Sequence, residues 1–262
     1  MIILIFLFTI LIINLIIFLI EFQMFESFWM EYINDNVLLT DLFIPGTHDS
    51  IAYNTNIKFI SKCQKFTFKQ QLNQGFRLFD IRLNNNLNSV HGICPCFNKY
   101  YKLLNLDSIM IQARDFLSNH NETIILLIDV ENYSNHDSKI NSILNNYSIC
   151  EINSSKFPRL GEVRRKIVII KKYKFNLPKQ DEWKSINLIR KINIFKQPQD
   201  NKSILINQLN IPWMPFLWSS ILNFIFNNYL INFTNCPQWI LVDYGNRKIA
   251  SQIYNLNFKG HF

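Results

Sequence analysis

Continuous apolar runs that stop at polar or turn residues alternate along this chain with stretches whose apolar positions recur at helical spacing. Residues 37–44 form an apolar run that ends at Pro45-Gly46 and predict a buried strand. Residues 76–82, 166–171 and 239–244 read as strands, and 124–130, broken only by Asp129 near its end, as a strand buried on both faces. Shorter strands are expected at 89–91, 192–195 and 204–209. Helical spacing appears at 27–34, at 68–73 until Gly75 stops it, within 137–149, and at 219–230. It is clearest over 106–119, where Leu106, Ile109, Met110, Ala113, Phe116 and Leu117 share a face, with Asp107 or Ser108 available as a cap. Strands alternating with helices predict an α/β fold built from parallel βα units. About seven or eight strands with polar residues at their C-terminal ends point to an irregular (β/α) TIM-like barrel, with an open doubly wound sheet as the alternative.

The first 20 residues break this rhythm, because they carry no charged side chain and consist almost wholly of Ile, Leu and Phe. That is about the length of a bilayer-spanning helix. The basic n-region, shorter apolar core and small-residue cleavage site of a signal peptide are not evident. Residues 1–21 are therefore expected to be an apolar helix acting as a signal anchor, or else an atypical signal peptide, ahead of one domain over residues 27–262. The expected location is membrane-associated or in the secretory pathway. With the first basic residue at Lys58, orientation is undetermined.

Composition narrows the class. A chain of 262 residues fits one barrel-sized domain, and a hydrophobic content of 48% excludes a disordered one. The net charge of +8 lies in residues 156–202, where 14 Lys/Arg meet only Glu162, Asp181, Glu182 and Asp200. Such a segment suits an anionic membrane surface or is simply a solvated face. Nucleic acid is disfavoured, since no zinc-finger spacing, aromatic-interleaved RNA motif or basic coiled-coil region accompanies it. Five cysteines leave at least one unpaired, and His91-x-x-Cys94-x-Cys96 lacks the second ligand pair of a structural zinc site. Trp213, Phe216, Leu217, Trp218 and Ile221 make an aromatic-rich patch that either dips into a lipid interface or packs as core.

The candidate chemistry lies at strand ends. Ile44-Pro45-Gly46-Thr47-His48-Asp49-Ser50 places a His-Asp pair just past a Pro-Gly turn, and His91-Gly92 ends a second short apolar segment. Between them lies Phe79-Asp80-Ile81-Arg82. Two histidines, acids to orient them and an arginine suit phosphoryl transfer by general acid and base. Strand alternation puts Asp80 on the side of Arg82, where it either pairs with it or lines the site.

These blocks, together with Trp29-Met30, Gln71-Leu72-x-x-Gly75-x-Arg77, Val90-His91-Gly92, Glu122-Thr123-Ile124-Ile125 and Val242-Asp243-Tyr244, occur in an order that resembles the phosphatidylinositol-specific phospholipase C X-domain family, in its bacterial-type and X-domain-only branch. The resemblance implies a phosphodiesterase releasing diacylglycerol and inositol 1,2-cyclic phosphate from phosphatidylinositol or a glycosylated form of it. His48 would be the general base, oriented by Asp243; Arg82 would hold the phosphate; His91, with Asp49 as partner, would be the general acid. Asp243 otherwise has Arg247 to pair with, since an unpaired buried acid is costly. Lys172 stands at an inositol-binding arginine of the bacterial enzymes, and Asp129 at a lysine of theirs, so both are candidates for substrate contact. With Arg82 and Asp49 where the calcium-dependent branch has a carboxylate and an Asn, no cofactor or metal is expected and calcium is disfavoured. The implied partners are the inositol lipid and the membrane surface, with the chain as a monomer. A catalytically weak lipid-binding member and a calcium-dependent phospholipase C are the alternatives.

Overall fold

Residues 27–131, 137–154, 156–174, 206–209, 219, 221, 223 and 237–258 are described by a computed structural model. The apolar segment 1–21, the strand expected at 192–195, most of the helix expected at 219–230, Trp213 to Trp218 and Cys236 lie outside the described residues.

The chain enters through a 3-10 turn, Trp29–Tyr32, that buries Trp29 and Met30. Strand β1 is Ile44–Thr47, followed by the short helix α1, Lys58–Ser61, and α2, Phe68–Asn73. Strand β2 is Leu78–Leu83, and β3, Val90–His91, pairs antiparallel with β4, Cys94–Pro95. Helix α3, Leu106–Asn119, leads to β5, Ile124–Val130; α4, Asp137–Leu144, leads to β6, Ile149–Glu151; and α5, Leu160–Val163, leads to β7, Ile167–Lys171. Then come β8, Ile206–Leu209, β9, Trp239–Val242, and α6, Arg247–Tyr254. Seven of these strands form a sheet in the order β6-β7-β5-β2-β1-β9-β8, and every pairing in it is parallel.

Local chemistry explains most of these boundaries. Helix α2 starts at Thr67, whose hydroxyl accepts from Gln70 N while the Gln70 side chain accepts from Thr67 N, a reciprocal cap. Helix α3 was expected to be capped by Asp107 or Ser108. The N-cap is Asn105 instead, with Ser108 completing the reciprocal pair, because the orphan amides of a first turn are reached from the residue ahead of it. In β1 the packing is too tight for any side chain at Gly46: a Cβ there would lie 2.7 Å from Leu241 Cδ2 and 2.9 Å from Leu78 Cβ, which belong to the flanking strands. Gly75, at φ +96, makes the left-handed exit from α2.

One expectation is corrected. Residues 37–44 are not one strand, since a 3-10 turn at Leu39–Asp41 buries Leu39 and only Ile44 joins the sheet. The helix expected within 137–149 is α4, after which the chain turns into edge strand β6. Helix α6 was not anticipated, although Asn246 caps it and Ile249, Ala250, Ile253 and Tyr254 form its buried face.

At the N-terminal ends of the strands, Arg77 is fully buried, donating through Nε to Glu122 Oε2 at 2.7 Å and through its other nitrogens to Leu72 O, Phe76 O and Ser27 O. Glu122 Oε1 accepts from Met30 N at 2.9 Å. This network ties the entry turn to the starts of β2 and β5.

Candidate active site

The turn that follows β1 carries the first histidine. Thr47 Oγ1 donates to Gln71 Oε1 at 2.7 Å, Gln71 Nε2 donates to Ser50 O at 2.8 Å, and Ser50 Oγ donates back to Thr47 O at 2.7 Å. So held, Asp49 takes a left-handed conformation at φ +40, rare for a residue with a side chain and a recurrent feature of functional turns. Tyr244, just past β9, does the same at φ +49. Between the two turns lies the buried amide of Gln64. Its Nε2 donates to His48 O at 2.7 Å and Val242 O at 2.9 Å, and its Oε1 accepts from Gly245 N at 3.2 Å. Gln64 therefore fixes the end of β1 to the end of β9, and with them His48 to Asp243.

His48 is buried and its two ring nitrogens meet different partners. Nδ1 lies 3.0 Å from Asp243 Oδ1, and Nε2 lies 2.9 Å from the Arg82 guanidinium. A guanidinium only donates, so this contact requires a lone pair on Nε2 and places the proton on Nδ1, donated to Asp243. Asp243 thus takes His48, while Arg247 reaches Asn73 O. Burial pulls the His48 pKa down, but Asp49 and Asp243 outweigh it and leave it above the ordinary 6.5. Burial raises the Asp243 carboxyl, and His48 offsets this only in part.

Asp49 is shared more widely than its pairing with His91 alone. Its Oδ2 is 3.1 Å from His91 Nε2 and 3.4 Å from His48 Nε2, and its Oδ1 is 2.6 Å from Arg82 Nε. The last contact is an ion pair that runs off the N–H direction and makes no hydrogen bond. Asp80 is fully buried; one oxygen approaches Arg82 Nε at 3.5 Å and the other accepts from Lys172 Nζ at 3.0 Å. Burial alone would raise the Asp80 carboxyl, yet Lys172 and Arg82 hold it well below the usual carboxylate range. Strand alternation had left Asp80 to pair with Arg82 or line the site, and it also anchors Lys172. Lys172 reaches Asp129 Oδ2 at 3.3 Å as well, and the two acids together raise its pKa against burial. Arg82 likewise stays charged, since Asp49 and Asp80 overcome its desolvation.

All seven residues singled out by the sequence, His48, Asp49, Arg82, His91, Asp129, Lys172 and Asp243, thus gather at the C-terminal ends of β1, β2, β3, β5, β7 and β9, where parallel barrels carry their chemistry. Two neighbours had no sequence signal. Gln64 lies in an irregular loop, and Cys63, wholly buried, points its thiol at Asp49 Oδ2 from 3.8 Å.

Residues 38–173, just over half of the chain, match the family described as phosphatidylinositol-specific phospholipase C, X domain. The chain belongs to this family. Over 156 residues it is 35% identical to a 1-phosphatidylinositol phosphodiesterase of Listeria monocytogenes, covering 54% of this chain and 47% of the relative. A protein of the same name from Staphylococcus aureus is 28% identical over 159 residues, covering 54% and 49%. The chain spans about half the length of the curated relatives it matches. The solved structure of a phosphatidylinositol-specific phospholipase C from Listeria monocytogenes superposes with a TM-score of 0.74 at 24% identity, covering 88% of this chain and 98% of that one. A mutant of the Staphylococcus aureus enzyme gives 0.68 at 21%, covering 87% and 96%. The fold is the irregular TIM-like barrel that the strand pattern predicted.

The X-domain barrel carries an exposed apolar rim beside the site. On and around α1, Ile57, Phe59 and Ile60 are exposed, Phe59 at 80%. Ile93 at the β3-β4 tip is 97% exposed, and Tyr100 and Tyr101 stand out nearby. Phe97 N donates to Asn54 O and Asn54 Nδ2 to Asn98 O, which joins the loop before α1 to the segment after β4. Lys58, Lys65, Lys99 and Lys102 are interspersed and exposed.

Proposed function

We propose that this chain is a phosphodiesterase that cleaves phosphatidylinositol, or a glycosylated form of it, to diacylglycerol and inositol 1,2-cyclic phosphate. The observation that carries this reading is the bonding of His48: Nδ1–H to Asp243 and the Nε2 lone pair toward Arg82. When a phosphodiester enters, the Arg82 fork turns from His48 to the nonbridging oxygens, and Nε2 is left to take the proton of the inositol 2-hydroxyl. Asp243 stabilises the imidazolium that forms. His91, protonated and held by Asp49, gives its proton to the departing diacylglycerol oxygen, and the Arg82 charge meets the negative charge that builds on phosphorus.

No obligatory metal enters this scheme. A cation among Asp49, Asp80 and His48 would have to displace Arg82, whose Nε already lies 2.6 Å from Asp49 and 3.5 Å from Asp80. Its fixed charge supplies there what a cation would supply.

The exposed apolar rim with its lysines suits docking on an anionic lipid surface, with the cleft facing the headgroups. Together with the apolar first 20 residues, this favours membrane association or passage through the secretory pathway. The second reading is a family member that binds inositol lipid but turns it over poorly, favoured by the engagement of Lys172 with both Asp80 and Asp129.

The two part on one experiment. Full-length protein is incubated in chelator with phosphatidylinositol vesicles, and release of water-soluble inositol phosphate is followed. Turnover that His48→Ala and His91→Ala each abolish supports the phosphodiesterase; vesicle binding without turnover by the unaltered protein contradicts it.

A further inference from the structure

His91 stands opposite Cys94 across the β3-β4 turn, yet its ligand atom falls among residues distant in sequence. Among the described residues, Cys94 and Cys96 join no group of metal-type ligands, whereas His91 meets Asp49 and the distant Cys63, the three ligand atoms all lying within 4.8 Å of one another. We propose that Asp49, Cys63 and His91 form a binding site for a thiophilic divalent ion of the zinc type, and that the bound ion switches off the phosphodiesterase. The inhibitory half of this inference rests on the function proposed above; the binding half does not.

The geometry fits a tetrahedral ion. Zinc–sulfur bonds of about 2.3 Å and zinc–nitrogen or –oxygen bonds of about 2.0 Å put adjacent tetrahedral ligands roughly 3.3–3.5 Å apart. Asp49 Oδ2 lies 3.1 Å from His91 Nε2 and 3.8 Å from Cys63 Sγ, so small side-chain rotations suffice. One thiolate, one imidazole and one carboxylate select zinc or cobalt over calcium or magnesium, whose preference is for oxygen alone. The His91 side chain is 23% exposed and gives an entry route, and the fourth position is left for water. A second trio, His48, Cys63 and Asp243, is the weaker candidate, because both His48 nitrogens are engaged by Asp243 and Arg82.

Charge favours the ion as well. Three carboxylates, Asp49, Asp80 and Asp129, pair here with two permanent cations, Arg82 and Lys172, and a fourth, Asp243, meets only the His48 ring among the ion pairs of the described residues. On binding, the Cys63 thiol and the protonated His91 ring each give a proton to solvent and an electron pair to the metal, so one divalent ion replaces two protons and leaves the net charge of the site unchanged. His91 Nε2, once committed to the metal, no longer carries a proton to the leaving group, and Asp49 no longer orients it.

Cobalt is the probe, because a thiolate ligand gives it a near-ultraviolet charge-transfer band that carboxylate and imidazole ligands lack. Full-length protein titrated with cobalt is expected to show that band at one equivalent, and zinc to abolish it by displacement. Cys63→Ser should remove the band, and His91→Gln should weaken binding at least about tenfold, no less than loss of an outer-sphere partner costs. In parallel, zinc should inhibit lipid turnover by the unaltered protein, chelator should restore it, and Cys63→Ser should resist. A band that persists in Cys63→Ser, binding unaffected by His91→Gln, or no band at saturating cobalt overturns the site. Protein that binds cobalt as described yet turns over no lipid leaves the site standing and defeats the proposed function instead.

Discussion

His48 is held by two contacts that ask different things of it: Asp243 favours the imidazolium, and the Arg82 guanidinium tolerates only the neutral ring. Because Asp49 and Asp243 together outweigh burial, the pKa sits above 6.5, and activity that needs neutral His48 should fall as pH drops through that raised value. Asp243→Asn removes one of the raising charges, so the acidic limb of the kcat/KM profile should move to lower pH. At the same time kcat should fall by about 10²-fold or more as the ring loses its orienting acceptor. An acidic limb that stays in place would show that Asp243 does not act through His48. Under the proposed function Lys172 would meet the headgroup and not the reacting atoms, so Lys172→Ala is expected to raise KM about tenfold with a smaller change in kcat; steady-state kinetics on mixed micelles distinguish the two. At this scale the sequence was legible where a side chain sits in a patterned block, as with His48, Arg82 and Asp243. Gln64 and Cys63 were not, because their role comes from packing an irregular loop against two strand ends, which no local period encodes.

Elements divide the labour between the two ends of the barrel. The Arg77–Glu122 pair belongs to the same set of sequence blocks as the histidines, yet it sits at the N-terminal ends of β2 and β5 and welds them to the entry turn. Glu122→Gln leaves Arg77 buried with its charge uncompensated, and urea denaturation should show a loss of about 3–5 kcal/mol. The α1 rim makes the opposite prediction: Phe59→Ser should leave the unfolding midpoint nearly unchanged while weakening sedimentation with anionic vesicles severalfold, because this ring meets solvent and not core. The extents of α2, α3 and β5 could be read from the chain, since a sustained apolar pattern and a glycine stop act locally, although the cap of α3 was misplaced. Residues 37–44 misled because Leu39 and Leu42, three apart, are both buried by a 3-10 turn docked under Trp239, whose indole donates to Leu39 O. An apolar run records burial, and here the burial comes from tertiary contact and not from strand pairing.

For the whole molecule, five parallel strands and the β3-β4 hairpin bring residues from six strand ends to one face, and the site exists only there. The α/β alternation and the polar strand ends were enough to expect that face and a TIM-like barrel. They could not show that Asp49 serves both histidines and Arg82 at once, because that depends on a left-handed turn held by Thr47, Ser50 and Gln71. The central claim is that two imidazoles and an arginine drive attack by the substrate's own hydroxyl. Phosphorus NMR of the products formed from phosphatidylinositol in chelator tests it most directly. The account predicts inositol 1,2-cyclic phosphate as the first product, absent with His48→Ala; a first product that is acyclic inositol phosphate, or one formed only when calcium is restored, would contradict it.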